Sequence, residues 1–550
     1  MLNFKLKNMK KILIIFSVFT FLFACEDATD IIQDGELNDE ALFTSVDNMQ
    51  LVLNEVYDQL STVNDLFVSS LLTDEVAVGD AGFPSETHNF QIFSTNGFAN
   101  NIWLTHYRTI NRANRLLEGA ELFTPEESRI EEYNSIIAQA RAIRAFCHFQ
   151  LLVYFSPDIA DDNAPGVMLL DFVPSITQDV PRSTVGEVFA LIEDDIAFAE
   201  NNLTTATTGN NSWYFFNQNV LNALQARMYL YRENYTLAEQ FADELINNSG
   251  INLASCEFTL PANFPLTSDV TEHIGATGST SLDNPPPAGT IQFALFQMDR
   301  WTATAASPLY KKMWVDSDQG ECIFSLIRPN DTNTFSSVYN TNQSYIQGGP
   351  LWDMGRNLYS LYTEPLGGGA QDFRRWAFVD RSATISDNPN QATQTSEVIV
   401  IDKYPGKNGN HSTNDIKVFR LSEMYFIKAE CRIEAGDLTG AANLLQELRQ
   451  ARNYIAGATV PTPSYSSATD AYNDVLKERY KELCFEGHRY IDLKRIGARA
   501  GVNTTNRFPT DSQNSSAVNP LNIAVDDFRF TLPIPQDEIN ANGIEQNPGY

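Results

Sequence analysis

The segment YFIKAECRIEAGDLTGAANLLQELR, Tyr425 to Arg449, decides the fold class. A helical pattern ends in a short polar turn around Gly436 and Asp437, and a second helical pattern begins at once. The stretch ALQARMYLYRENYTLAEQFADELI, Ala223 to Ile246, has the same layout. Ala226 and Ala238 are twelve positions apart, as are Ala429 and Ala441. Small residues at those places let paired helices approach closely. The pattern is that of a tetratricopeptide-type hairpin. Arg141 to Phe155 reads as the first helix of a weaker copy. The copies are not in tandem, which excludes a simple solenoid.

Outward from these hairpins, residues 41–72 and the stretch NIWLTHYRTINRANRLLEGA carry apolar residues at helical spacing. A long helix is expected from Pro125 to Phe155, with Thr124 as its N-cap. Residues 250–415 are rich in Asn, Ser, Thr, Gly and Pro, with short apolar runs at Thr290–Phe296 and Cys322–Ile327 that suit strands. Helix resumes in LKERYKELCFEGHRYIDLKRIG, with Gly487 placed for a left-handed C-terminal cap. The fold class is therefore mainly α: a helical scaffold over 41–249 and 416–500, a loop-rich insertion over 250–415, and an extended C-terminal segment over 501–550.

The N-terminus is separate from this fold. Lys5, Lys7, Lys10 and Lys11 precede the uncharged apolar run Ile12–Ala24, which is shorter than the ~20 residues of a spanning helix. Residues 1–24 read as a signal peptide. Leu22-Phe23-Ala24-Cys25 resembles a bacterial lipobox, which would make Cys25 the lipidated first residue of the mature chain and 25–40 a tether. A plain secretory signal with an unrelated cysteine is the alternative.

Composition narrows the function. The 550 residues carry a formal charge of −31, and loss of the four signal lysines makes the mature chain more acidic still. Such a surface repels phosphate backbones and argues against a nucleic-acid partner. Cys147, Cys256, Cys322, Cys431 and Cys484 are scattered, with no CxxC pair, and read as buried apolar residues. No Walker loop, GxSxG elbow, HExxH or EF-hand pattern occurs, so neither cofactor, metal nor catalytic residue is expected. His148 and His488 lack ligand-spaced partners and read as structural. A glycosidase remains the rival of another class, but with 69 Asp and Glu a suitable carboxylate pair occurs by chance.

The segment FRLSEMYFIKAECRIEAGDLTGAANLLQELRQARN, the motif ERYKELCFEGHRYIDLKRIG, the terminus LPIPQDEINANGIEQNPGY and the signature WLTHYRTINRANRLLE together resemble the SusD/RagB outer-membrane lipoproteins. The resemblance implies a helical scaffold and a glycan-binding protein at the cell surface, with a lipid anchor in the outer membrane. It also implies a SusC-like TonB-dependent transporter as partner. Some members bind peptides instead, and that alternative stays open.

Sugar binding needs aromatic faces for pyranose C–H groups and amides or carboxylates for the hydroxyls. Two loops have that mixture. One spans TDEVAVGDAGFPSETHNFQIFSTNGF, with Asp74, Asp80, Phe83, His88 and Phe98. The other spans RPNDTNTFSSVYNTNQSYIQGGPLW, with Arg328, Tyr339, Asn342, Tyr345 and Trp352. These ten are the expected ligand-binding residues.

Overall fold

In the computed structural model the described residues are 42–79, 82, 85–175, 178–203, 212–257, 307–328, 351–380, 383, 398–407, 413–512 and 519–550. The chain begins with α1 (Val46–Gln59), α2 (Val63–Leu71), β1 (Val76–Val78), α3 (Gly97–Ala120) and α4 (Ile130–Phe155). The ribbon β2 (Pro165–Met168) and β3 (Arg182–Thr184) leads into α5 (Val185–Asn202), α6 (Gln218–Tyr231) and α7 (Tyr235–Asn248). The middle of the chain supplies α8 (Leu309–Trp314), β4 (Cys322–Leu326), β5 (Trp352–Met354), α9 (Arg356–Thr363), α10 (Arg374–Phe378) and β6 (Ile416–Arg420). Then come α11 (Leu421–Glu434), α12 (Leu438–Arg452), α13 (Ala468–Leu483), α14 (Arg489–Ile496) and the short α15 (Gln536–Asn542). The fold is mainly α, as the hairpin reading required.

The two hairpins, α6–α7 and α11–α12, turn by the same device. A residue in the left-handed region precedes the N-cap: Glu233 (φ 57) before Asn234, and Gly436 (φ 77) before Asp437. Asn234 Oδ1 accepts from the Leu237 N–H at 3.2 Å, and Asp437 Oδ1 from the Gly440 N–H at 2.8 Å. These bonds satisfy N–H groups left open at the helix start. Ala226, Ala238, Ala429 and Ala441 are all fully buried. Although far apart in sequence, the hairpins adjoin in space. Helix α11 packs on α7, where Lys428 meets Asp243 at 2.5 Å and Arg432 meets Glu239 at 2.6 Å. Helices α4 and α5 pair ahead of them, and α13 continues the array on α11.

Three boundaries differ from expectation. Residues 41–72 form two helices, because Leu60 is extended and the Ser61 hydroxyl accepts the Val63 N–H, a local bond that competes with helix. The long helix starts at Ile130 after a 3₁₀ turn at Glu127–Arg129, since Glu126 is extended. The C-terminal segment is not wholly extended. It contains α15, buries Leu532, Ile534 and Ile544, and donates from Asn547 Nδ2 to the open Phe155 carbonyl at the end of α4.

The insertion is held to the array by buried charge. Arg374 of α10 bonds Glu478 at 2.6 Å and Glu482 at 3.1 Å. Arg420 bonds Glu321, Glu482 and Glu486, while Arg452 bonds Glu321 and Glu482. Lys403 reaches Glu486 at 2.6 Å. Burying an ion costs several kcal/mol, so each charge is tolerable only because its partners are in place. Glu486, Arg489 and Asp492, close in sequence, pair separately: Glu486 with Arg420 and Lys403, Arg489 with Asp74, Asp492 with Arg479 and Arg495. The five described cysteines, His148 and His488 are buried.

Candidate functional site

The two loops singled out in the sequence meet at their bases. Strand β1 opens the first loop and β5 closes the second, and the two pair antiparallel with Val76 opposite Met354 and Val78 opposite Trp352. The Gly79 N–H donates to the Leu351 carbonyl at 3.0 Å. At Gly82 a Cβ atom would lie 2.1 Å from the Leu351 oxygen, so only glycine lets the first loop pass the second there. The His88 and Trp352 rings lie 5.2 Å apart.

The residues at this junction are mostly engaged within the protein. Both oxygens of Asp74 are held by Arg489, at 2.8 Å each, and one also accepts the Asn506 N–H at 3.1 Å. Burial opposes ionisation of Asp74, but the Arg489 charge and its hydrogen bonds prevail and hold the carboxyl below the usual range. His88 is fully buried, with Nε2 3.3 Å from the Val76 carbonyl, and burial with the Arg507 charge keeps it neutral. Asp74 and His88 therefore offer no surface to a ligand, and their assignment as contacts is corrected to one of support. Trp352 is 9% exposed, so its ring too is largely packing. Phe98 is half-buried, 6.0 Å from the Phe67 ring. Cys25, Asp80, Phe83, Tyr339, Asn342 and Tyr345 lie outside the described residues.

Two further groups fix the base of the site. Arg507 donates to the carbonyls of Leu71, Thr73 and His88, capping the C-terminal end of α2 beneath β1. Glu75, next to β1, accepts from the Ser70 hydroxyl at 2.7 Å and the Phe485 N–H at 3.0 Å. Burial pushes its carboxyl up to about 7.

The second loop leaves the scaffold at Arg328. Its N–H donates to Asp415 Oδ1 at 2.7 Å and its guanidinium to the Leu60 carbonyl at 2.9 Å. The Tyr214 hydroxyl donates to the other Asp415 oxygen at 2.9 Å. Phe215 is 47% exposed, edge-on to Tyr57 at 5.3 Å, and Ile327 is 49% exposed. Sequence reasoning passed over this aromatic run, SWYFF at 212–216. The available signal was its position after the polar stretch TTATTGNNS, the same mixture that marked the 328–352 loop. A cleft of about 350 Å³ lies elsewhere, between the end of α12 and residues 251–257, lined by Tyr425, Glu447 and Ile455 among others and by none of the expected residues.

Comparison with known proteins fits this architecture. Residues 373–550 match the SusD family, and residues 27–230 match a family described as starch-binding and associating with the outer membrane. SusD-like protein P2 of Formosa agariphila is 25% identical over 98% of this chain and all of its own length. The starch-binding protein SusD of Bacteroides thetaiotaomicron is 33% identical over 26% of this chain and 24% of its own. Among solved structures, a SusD superfamily protein of B. thetaiotaomicron has a TM-score of 0.68 at 23% identity, covering 92% of this chain and 100% of its own. A laminarin-binding SusD-like protein has a TM-score of 0.57 at 19% identity, covering 90% and 99%. With a SusD-family match at either end and a relative matched over its full length, the chain belongs to the SusD-like family.

Proposed function

We propose that this protein, held in the outer membrane by a lipid on Cys25, binds an oligo- or polysaccharide at the cell surface and passes it to a SusC-like TonB-dependent transporter. The observation that carries the reading is the joining of the two sugar-type loops through β1 and β5, on a scaffold whose relatives include proteins named for starch and laminarin binding. The strongly negative chain favours uncharged ligands over acidic ones. Tyr339, Asn342, Tyr345, Asp80 and Phe83 are the proposed ligand contacts of the two loops, joined by Arg328 and Phe98, with Trp352 as packing support. The role is binding without cleavage.

Affinity electrophoresis of the ectodomain through gels containing starch or laminarin tests this reading. Retardation by at least one polysaccharide, with no new reducing ends after long incubation, is expected. Free migration in every gel together with retention of peptides would replace the glycan reading by peptide capture. For the anchor, Cys25→Ala should move the protein from the membrane fraction to the medium or soluble fraction. A variant that remains membrane-bound would remove the lipid from the proposal.

A further inference from the structure

We infer that Phe215 and its neighbours Trp213 and Ile327 form a second sugar-stacking surface, at the other root of the 328–352 loop, for rings of the same uncharged glycan chain. The inference rests on the glycan-binding reading above. It extends that reading to residues outside both sequence-defined loops.

The geometry is as follows. Tyr214 and Arg328 share one carboxylate, Asp415, through its two different oxygens. Their chain neighbours Phe215 and Ile327 are thereby brought to one edge, and both are about half exposed. Phe216 anchors the run from below, its ring 4.9 Å from Phe324 of β4. The Tyr57 ring stands perpendicular to that of Phe215, with centroids 5.3 Å apart, and the Tyr57 hydroxyl accepts the Phe216 N–H at 2.8 Å. The orientation of the Phe215 ring is thus set by Tyr57 while about half of the residue stays in water. Trp213 is half-buried, 5.2 Å from the Tyr214 ring, so its orientation is also set. Rigid, preoriented rings lose little entropy on binding.

The choice of occupant follows from chemistry and position. An aromatic face receives the C–H side of a pyranose, and the hydroxyl rim then needs polar neighbours, which Arg328 and Ser212 supply from the chain on either side. A net charge of −31 disfavours an anionic ligand. The surface is continuous with the loop already proposed to hold glycan, since Ile327 and Arg328 are its first root. Arg328, at the first root, holds the Leu60 carbonyl ahead of α2, and Trp352, at the second, pairs with Val78 beyond it; α2 itself, nine residues, is about 13 Å long. A ring surface at one root together with loop contacts toward the other suits a chain of several sugars better than a single one.

The test compares the parent ectodomain with Phe215→Ala, Phe215→Tyr and Ile327→Ser on a panel of neutral glycans of graded length, by calorimetry, with melting temperature as the folding control. Phe215→Ala should weaken binding of the longer chains about five- to ten-fold, a change typical of one lost ring contact. Phe215→Tyr should restore it, Ile327→Ser should weaken it less, and the shortest ligands should be unaffected. If the parent binds a glycan and Phe215→Ala binds every length equally well, the second surface is wrong while the glycan reading stands. If the parent binds none of the panel, both fall. Should Phe215→Ala lower the melting temperature, Ile327→Ser decides, and unchanged affinity for long chains would then overturn the inference.

Discussion

Arg489 grips both carboxylate oxygens of Asp74 at 2.8 Å, tying the helix after the Glu486-Gly487 turn to the residue that leads into β1. The pair is buried, so removing one partner strands the other charge. Arg489→Leu should cost about 3–5 kcal/mol of stability, as for other broken buried pairs. Arg489→Lys keeps the charge but loses the two-pronged geometry, and should cost less. Chemical denaturation checks both. Equal stability of all three proteins would contradict the supporting role assigned to Asp74.

Glu75 should impose an unusual pH dependence. Its carboxyl is raised to about 7 in the folded protein, by burial above all. The folded state therefore holds a proton that the unfolded state has released, between about pH 4.3 and 7. Stability from this group is present below the unfolded value and declines as pH rises through 7. Glu75→Gln keeps the shape and can donate to the Ser70 oxygen, so it should flatten that decline and stabilise the protein above pH 7 by on the order of 3 kcal/mol. Melting curves from pH 5 to 8 decide it, and an unchanged slope would contradict it.

Asp372, Glu478, Glu482 and Glu486 should act in the opposite sense. Burial opposes their ionisation, but the arginines and lysines around them hold all four below the usual range. Their contribution is present above the unfolded value and lost as pH falls below about 4.3. Acid unfolding should therefore begin at the clamp. Glu482→Gln should shift the acid transition to higher pH, and a transition that does not move would show that the clamp is not the acid-sensitive element.

Trp352 separates support from ligand contact. With 9% exposure and His88 packed against it, Trp352→Ala should cost about 3–5 kcal/mol of stability. Trp352→Phe should recover much of that and leave glycan affinity near the parent value. Calorimetric melting and titration on the same samples check it. A Trp352→Ala protein that melts normally but fails to bind would restore the ring to the ligand surface.

Much of the scaffold was legible because its signals are local. The Ala226/Ala238 and Ala429/Ala441 spacings and the Gly436-Asp437 turn identify hairpins within 25 residues of sequence. Gly487 does adopt φ 87, but α13 ends at Leu483 with Cys484 as its C-cap, and the left-handed residue that follows the cap is Phe485 at φ 61, so the cap lies earlier than the sequence suggested. What was not legible is long-range. Nothing near Asp74 announces Arg489 as its partner, so a buried ion-paired carboxylate was read as a loop acid able to face sugar. His88 was misread for the same reason, since its neutrality depends on burial and on Arg507. The aromatic run at 212–216 was missed because its value depends on Asp415, which lies far along the chain and joins it to Arg328.

Small residues between the stacked helices give a further expectation. Ala429 is fully buried in α11, which packs against both α7 and α12. Ala429→Leu should overpack that contact and cost about 1–3 kcal/mol, whereas Ala429→Gly should cost about 1 kcal/mol through helix propensity. Urea denaturation measures both. A neutral Leu variant would mean the hairpins are not closely packed there.

The most direct measurement is hydrogen–deuterium exchange of the ectodomain with and without an oligosaccharide of whichever polysaccharide retards it. Added protection is expected in residues 79–98, 327–352 and 212–216, with none at the cleft beside Tyr425 and Glu447. Protection confined to that cleft, or absent from both loops, would contradict the assignment of the site.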